Sequence, residues 1–264
     1  MRELVYLSLQ LHHHEATLLD RLLDQEAILQ RAAKEKITVL HCWQHPRGLL
    51  CGTRERTLPN FSQAVQAMIV RGYEVIVRPF GGLAVPCDEG IINVTYMTPE
   101  PISIEQGFAF LADRLIEASQ EHGFLQVGEV IDSYCPGRYD VSLNGFKVAG
   151  IAQRKIIHAT AVSAYINVYG NCRDRETLIR DFYQQALASE PHPPWVPVVR
   201  TEHATSLYPS KEDGEAQILD FLTGLLSTYE RLGYHFAALP SLTTEERQTS
   251  YARMAHRMCA ICEG

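Results

Sequence analysis

Leu18, Leu19, Leu22, Leu23, Ile28 and Leu29 recur at helical spacing with polar residues between them, which predicts an amphipathic helix over residues 15–34. Residues 2–9, ITVLHCW, EVIVRP (stopped by Pro79) and GIINVTYM read as strands. Between these, TLPNFSQAVQAMIVRGY predicts a short helix capped by Asn60 or Ser62 and ended at Gly72. Pro101, Ser103 and Glu105 open a longer helix to about His122, with Gly123 as its stop. The middle turns to strands: LQVGEVI, YDVSLNG, FKVAGIAQRK and ATAVSAYINVYG, with Asn144-Gly145 as a strong hairpin signal. Helices resume near Arg175 to Ala188, Glu215 to Tyr234 and Thr243 to His256. The Pro-rich stretch SEPHPPWVPVVRTEHATSLYPS is the one plausible linker, and only two helices follow it. The expectation is a single α+β domain over 1–264, with a core at about 15–190 and closing helices at about 215–258.

Composition narrows the partners. The formal charge of −7 makes phosphate backbones unfavourable, so no nucleic-acid role is expected. No run of about 18 apolar residues and no signal-peptide pattern is evident, so a cytoplasmic protein without a membrane span is expected. Seven cysteines, an odd number spread along the chain, do not make a disulfide scaffold. His12–His14 form a short internal run, and His256, Cys259 and Cys262 leave a zinc site one ligand short; no metal is expected.

The stretch SYCPGRYDVSLNGFKVAG carries candidate chemistry. Cys135 sits at a turn marked by Pro136-Gly137, and the hairpin at Asn144-Gly145 can return Lys147 toward it. A nearby ammonium would favour a thiolate and could donate to an acyl oxygen as charge develops there. Gly150 leaves room for close approach of a ligand. Spacing alone leaves a second reading open: Cys135 as a small buried hydrophobe and Lys147 as a solvated strand residue. A second stretch, VRPFGGLAVPCDEGIINVTY, places Gly81-Gly82 after a strand. Their main-chain amides could line a slot for an extended acyl chain, with Arg78 at the strand end. It is neither a P-loop nor a dinucleotide fingerprint.

The blocks LLDRLLDQEAIL, RPFGGLAV with DEG, and NGFKVAGIAQR, in this order, resemble the lipoate/octanoate attachment family, which includes lipoate and biotin protein ligases and octanoyltransferases. The resemblance implies the biotin/lipoate ligase catalytic fold, a mixed sheet with flanking helices. The chain departs from the ligases at Gly81-Gly82-Leu83 and Cys87-Asp88, where they carry three glycines and His-Asp, and about 60 residues follow the linker-like stretch where many ligases add a domain. SYCPGRYDVSLNG resembles the cysteine-dependent branch, in which an octanoyl or lipoyl group passes from the glycine cleavage H protein to apo lipoyl domains. That resemblance implies Cys135 as the acyl carrier, Lys147 as the lysine on the acyl carbonyl, Arg78, Gly81, Gly82 and Gly150 around the acyl chain, and no cofactor. It leaves open an acyl carrier protein as donor. Acidic acceptors would want a basic patch, for which Arg138, Arg154 and Lys155 are candidates.

Overall fold

The computed structural model describes residues 3–11, 16–208, 210 and 213–260. His12–His14 and Cys262 lie outside these. The helix predicted from Glu15 is α1 (Leu18–Glu35). Thr17 starts it with a capping box: its side chain accepts from the Asp20 amide and the Asp20 carboxylate accepts from the Thr17 amide. Ser103 and Gln106 start α3 (Ile104–Ser119) in the same way. The other helices are α2 (Phe61–Val70), α4 (Cys172–Leu187), α5 (Gly214–Arg231) and α6 (Thr244–Met258).

An eight-stranded mixed sheet forms the centre. Its strands are β1 (Leu4–Gln10), β2 (Thr38–Trp43), β6 (Ile91–Thr98), β7 (Leu125–Val127), β8 (Val141–Leu143), β9 (Phe146–Ile156), β10 (Ala159–Asn167) and β11 (His235–Ala238), in the order β11-β1-β2-β6-β10-β9-β8-β7. β1 runs parallel to β2 and β11, and the remaining pairs are antiparallel. Its middle strands are buried on both faces, so they read as near-continuous apolar runs rather than alternating ones. A second sheet, β4-β3-β5, comprises β3 (Arg47–Cys51), β4 (Glu74–Val77) and β5 (Val85–Asp88).

Two features set up the site. Asn144 (φ 51°) and Gly145 (φ 86°) make the two-residue turn between β8 and β9, so β9 returns beside the chain that leads into β8. The linker-like stretch is knitted to the core. The Lys147 amide donates to His203 O at 2.8 Å and the Thr205 amide to Lys147 O at 2.8 Å. The Glu176 carboxylate accepts from the amides of Glu202, His203 and Ala204. Among the described residues no helix is long and apolar enough to cross a membrane.

Candidate active site

Cys135 lies in the loop between β7 and β8, where it faces the turn between β4 and β5. Its backbone is left-handed at φ 47°, a conformation that costs a β-carbon residue energy and persists only when its surroundings impose it. The constraint is visible. The Lys147 ammonium, fully buried, donates to Tyr134 O at 2.9 Å and to Cys135 O at 2.7 Å, and pairs with Asp140 Oδ2 at 2.9 Å. Asp140 also accepts from the Gly137 amide at 3.1 Å. Burial pushes the Asp140 carboxyl above its ordinary value, with the Lys147 charge pulling the other way. The hairpin therefore returns Lys147 to the cysteine loop as the spacing anticipates. Its three donors, however, meet two main-chain carbonyls and a carboxylate rather than the sulfur.

The sulfur finds its donors in the turn that joins β4 to β5. The Leu83 amide donates to Cys135 Sγ at 3.1 Å, and Arg78 Nη2 stands 3.8 Å from it while donating to Leu83 O at 2.8 Å. Gly82 (φ 92°) makes this approach possible: a β-carbon there would sit 3.1 Å from Sγ and 2.8 Å from Arg78 Nη2. Among the described residues Cys42, Cys51, Cys87 and Cys172 are free but buried, and Cys135 is free and partly exposed. Burial pushes the thiols of Cys42 and Cys87 up to about 12, which makes them inert.

Arg78 also lines a small enclosed cavity of about 20 Å³, together with Leu22, Trp43, Leu50, Phe80, Gly150 and Tyr165. That volume holds about one water and is far below the roughly 300–1,000 Å³ of ligand pockets, so an acyl chain needs its walls to part. Gly150 brings the β9 backbone against Tyr165, where a β-carbon would lie 2.7 Å from the ring. The Tyr165 hydroxyl is buried without a hydrogen-bond partner. Of the residues expected around an acyl chain, Arg78 and Gly150 line this cavity. Gly82 borders the sulfur, and Gly81 stands in open space.

Sequence reasoning missed Asp140, Glu55 and Tyr183. Glu55 stands between Arg54 and Arg56 in the sequence, yet it is fully buried and accepts from the Ala84 amide and the Tyr183 hydroxyl. Of the three candidates for a basic patch, Arg154 is spent on Glu26 and Pro79 O, Arg138 is exposed and stands 3.8 Å from Glu105, and Lys155 is exposed. No cluster of three or more His, Cys, Asp or Glu able to hold a metal occurs among the described residues.

Comparison with known proteins places this fold. Residues 20–199 match the Lipoyl protein ligase A/B catalytic domain. The Octanoyl-[GcvH]:protein N-octanoyltransferase of Anoxybacillus flavithermus is 39% identical over 155 residues, which are 58% of this chain and 56% of the relative, so the match spans little more than half the relative's length. The protein of that name from an Exiguobacterium species is 30% identical over 86% of this chain and 81% of its own. The Lipoyl-[GcvH]:protein N-lipoyltransferase of Listeria monocytogenes is 36% identical over 53% of this chain and 52% of its own. Among solved structures, lipoate-protein ligase A bound with ATP superposes with a TM-score of 0.69 at 16% identity, covering 96% of this chain and 94% of that one. The lipoate protein ligase of a bipartite system from Thermoplasma acidophilum gives 0.64 at 15% identity, covering 96% and 92%. These two superpositions show the shared fold, a mixed sheet with flanking helices. By the domain match and the Exiguobacterium relative together, the chain belongs to the lipoyl protein ligase A/B catalytic-domain family.

Proposed function

We propose that this protein is an amidotransferase, moving an octanoyl or lipoyl group from the lysine of the glycine cleavage H protein to the lysine of apo lipoyl domains through a thioester on Cys135. The observation that carries the reading is the sulfur itself: it is partly exposed, held in a strained backbone and met by the Leu83 amide at 3.1 Å with Arg78 behind it. Sequence relatives that bear octanoyl- and lipoyl-[GcvH] transferase names support the donor and the chemistry.

In the first half-reaction the Cys135 sulfur attacks the amide carbonyl of the acylated lysine. The S–C bond forms, the C–N bond breaks, and the thiol's proton leaves on the departing amine. In the second, the acceptor lysine's amine attacks the thioester carbonyl, the new amide C–N bond forms, the C–S bond breaks, and the amine's proton goes to the sulfur. The charge that develops on the acyl oxygen falls to Lys147. Its donors are all engaged, so the oxygen must displace one of the two carbonyls that Lys147 now holds. The chain takes the space beside Gly150 once the walls of that small cavity part, and each methylene buried there contributes about 0.8 kcal/mol.

The test is transfer without ATP or free acid. Octanoylated H protein and an apo lipoyl domain are mixed with enzyme, and the octanoyl group is followed by mass. Transfer by the wild type and none by Cys135→Ala is expected. Transfer only from octanoyl-acyl carrier protein refutes the donor assignment, and transfer only with ATP and octanoate refutes the amidotransfer reading.

A further inference from the structure

We infer that Glu55 is a positioning residue for Cys135: it holds the Ala84 amide and so keeps the preceding amide, Leu83, on the cysteine sulfur. The inference deepens the reading of Cys135 as the acyl-carrying thiol and rests on it.

Glu55 lies in the single 3₁₀ turn that follows β3, Arg54–Thr57, with its side chain fully buried. A buried carboxylate is costly unless hydrogen bonds satisfy it. Here Oε1 accepts from the Ala84 amide at 2.6 Å and from the Tyr183 hydroxyl at 2.7 Å, while Oε2 is buried without a partner. An apolar side chain in the same space would leave the Tyr183 hydroxyl without this acceptor and the Ala84 amide with only that hydroxyl, at 3.3 Å. The carboxylate thereby orders a turn that packing leaves loose. Gly81 and Gly82 are exposed, and a β-carbon on Gly81 would meet nothing within 4 Å. The turn is held by polar ties. Arg78 takes Leu83 O, Glu55 takes the Ala84 amide, and the Leu83 amide is left for Cys135 Sγ.

The surroundings fit this division of amides. A β-carbon on Gly52 would lie 2.2 Å from Gly82 O and 2.8 Å from Glu55 Oε2, so the end of β3, the turn and the carboxylate meet edge to edge. Tyr183 donates to the same carboxylate oxygen, and its own oxygen lies 3.3 Å from the Ala84 nitrogen as a longer second acceptor. Burial, then the adjacent Glu55, push its hydroxyl well above the ordinary tyrosine value, so it remains a donor.

The experiment measures alkylation of Cys135 in the whole protein by iodoacetamide at neutral pH, mapped by peptide mass, beside thermal unfolding. Alkylation depends on the sulfur and its donors, not on any acyl donor. Glu55→Ala is expected to slow labelling of Cys135 about tenfold, and Glu55→Gln, which keeps an acceptor for the Ala84 amide, to stay within about threefold of wild type. A role confined to stability predicts the opposite: a looser protein that labels faster and exposes the buried thiols. Labelling of Glu55→Ala at or above the wild-type rate, or Glu55→Gln as slow as Glu55→Ala, overturns the inference. If Glu55→Ala does not fold, Tyr183→Phe replaces it. A rate about threefold lower supports the inference, and an unchanged rate overturns it. Slowed labelling in a protein that takes no octanoyl group from any donor would uphold the positioning role while refuting the transfer reading.

Discussion

Replacing Asp140 by Asn tests the buried charge under the cysteine loop. Lys147 and Asp140 have side-chain exposures of 0% and 2% and stand 2.9 Å apart. Removing one partner of such a pair strands the other charge, at a cost of about 3–5 kcal/mol. Asn keeps the shape and one acceptor, and the ammonium retains Tyr134 O and Cys135 O, so the lower end, about 3 kcal/mol, is expected. In a protein of this size each kcal/mol moves Tm by about 2–4 °C, which gives a fall of about 6–12 °C by calorimetry. The loop also loosens, because the Gly137 amide loses a charged acceptor. Formation of the acyl-enzyme should fall about tenfold or more. The double variant Asp140→Leu with Lys147→Met removes both charges and should recover most of the Tm, since an apolar pair of similar volume is often neutral or better. It should not recover activity. A fall in Tm below about 2 °C in Asp140→Asn, or a double variant less stable than the single, would refute the reasoning.

Three further outcomes follow from the same structure. The His41 imidazole is buried and its pKa is lowered from 6.5 to about 4, chiefly by burial. The unfolded chain therefore takes up a proton below 6.5 that the folded chain refuses. Its contribution is fully present above 6.5 and lost as pH falls toward 4, on the order of 3 kcal/mol. Urea unfolding at pH 7 and pH 5 should show about 2 kcal/mol of this loss, the part that falls between 6.5 and 5, and His41→Gln should flatten it. Gly52→Ala drives a methyl into Gly82 O, and the resulting backbone shift should cost about 1–3 kcal/mol in urea unfolding and slow alkylation of Cys135. Gly150→Ala pushes on the Tyr165 ring and should cut octanoyl uptake about tenfold with little effect on alkylation of Cys135.

Local chemistry made much of the frame readable before any coordinates. The Ser103 cap, the α1 stripe and the Asn144-Gly145 turn are decided within a few residues, and each is where the pattern places it; α1 starts at Leu18 rather than at Glu15, because Thr17 caps it. Elements that depend on distant partners were not readable. β3 is five residues between turn signals, β5 contains Pro86, and β11 exists because β1 offers it a parallel edge. LQVGEVI reads as a strand to Ile131, but β7 ends at Val127; the Gly128 amide still meets Asp140 O in the same register, and beyond it the chain turns, with the Ser133 amide donating to Val130 O. α4 starts at Cys172, ahead of the expected Arg175, because Asn171 caps it. At the site, Cys135, Arg78 and Lys147 announce themselves by residue type and turn context. The hairpin signals that Lys147 returns to the cysteine loop but not which atoms it meets there, and the burial of Glu55 is set by Ala84 and Tyr183, so no neighbouring residue signals it.

The central claim is that Cys135 carries the acyl group, and intact mass answers it most directly. The protein is incubated with octanoylated H protein alone, without acceptor, ATP or free octanoate, and the labelled peptide is then mapped. The account predicts one octanoyl group on Cys135, released by hydroxylamine as a thioester is and absent from Cys135→Ala. Transfer of the octanoyl group to a lipoyl domain by Cys135→Ala at the wild-type rate, or an adduct mapped to another residue, would contradict it.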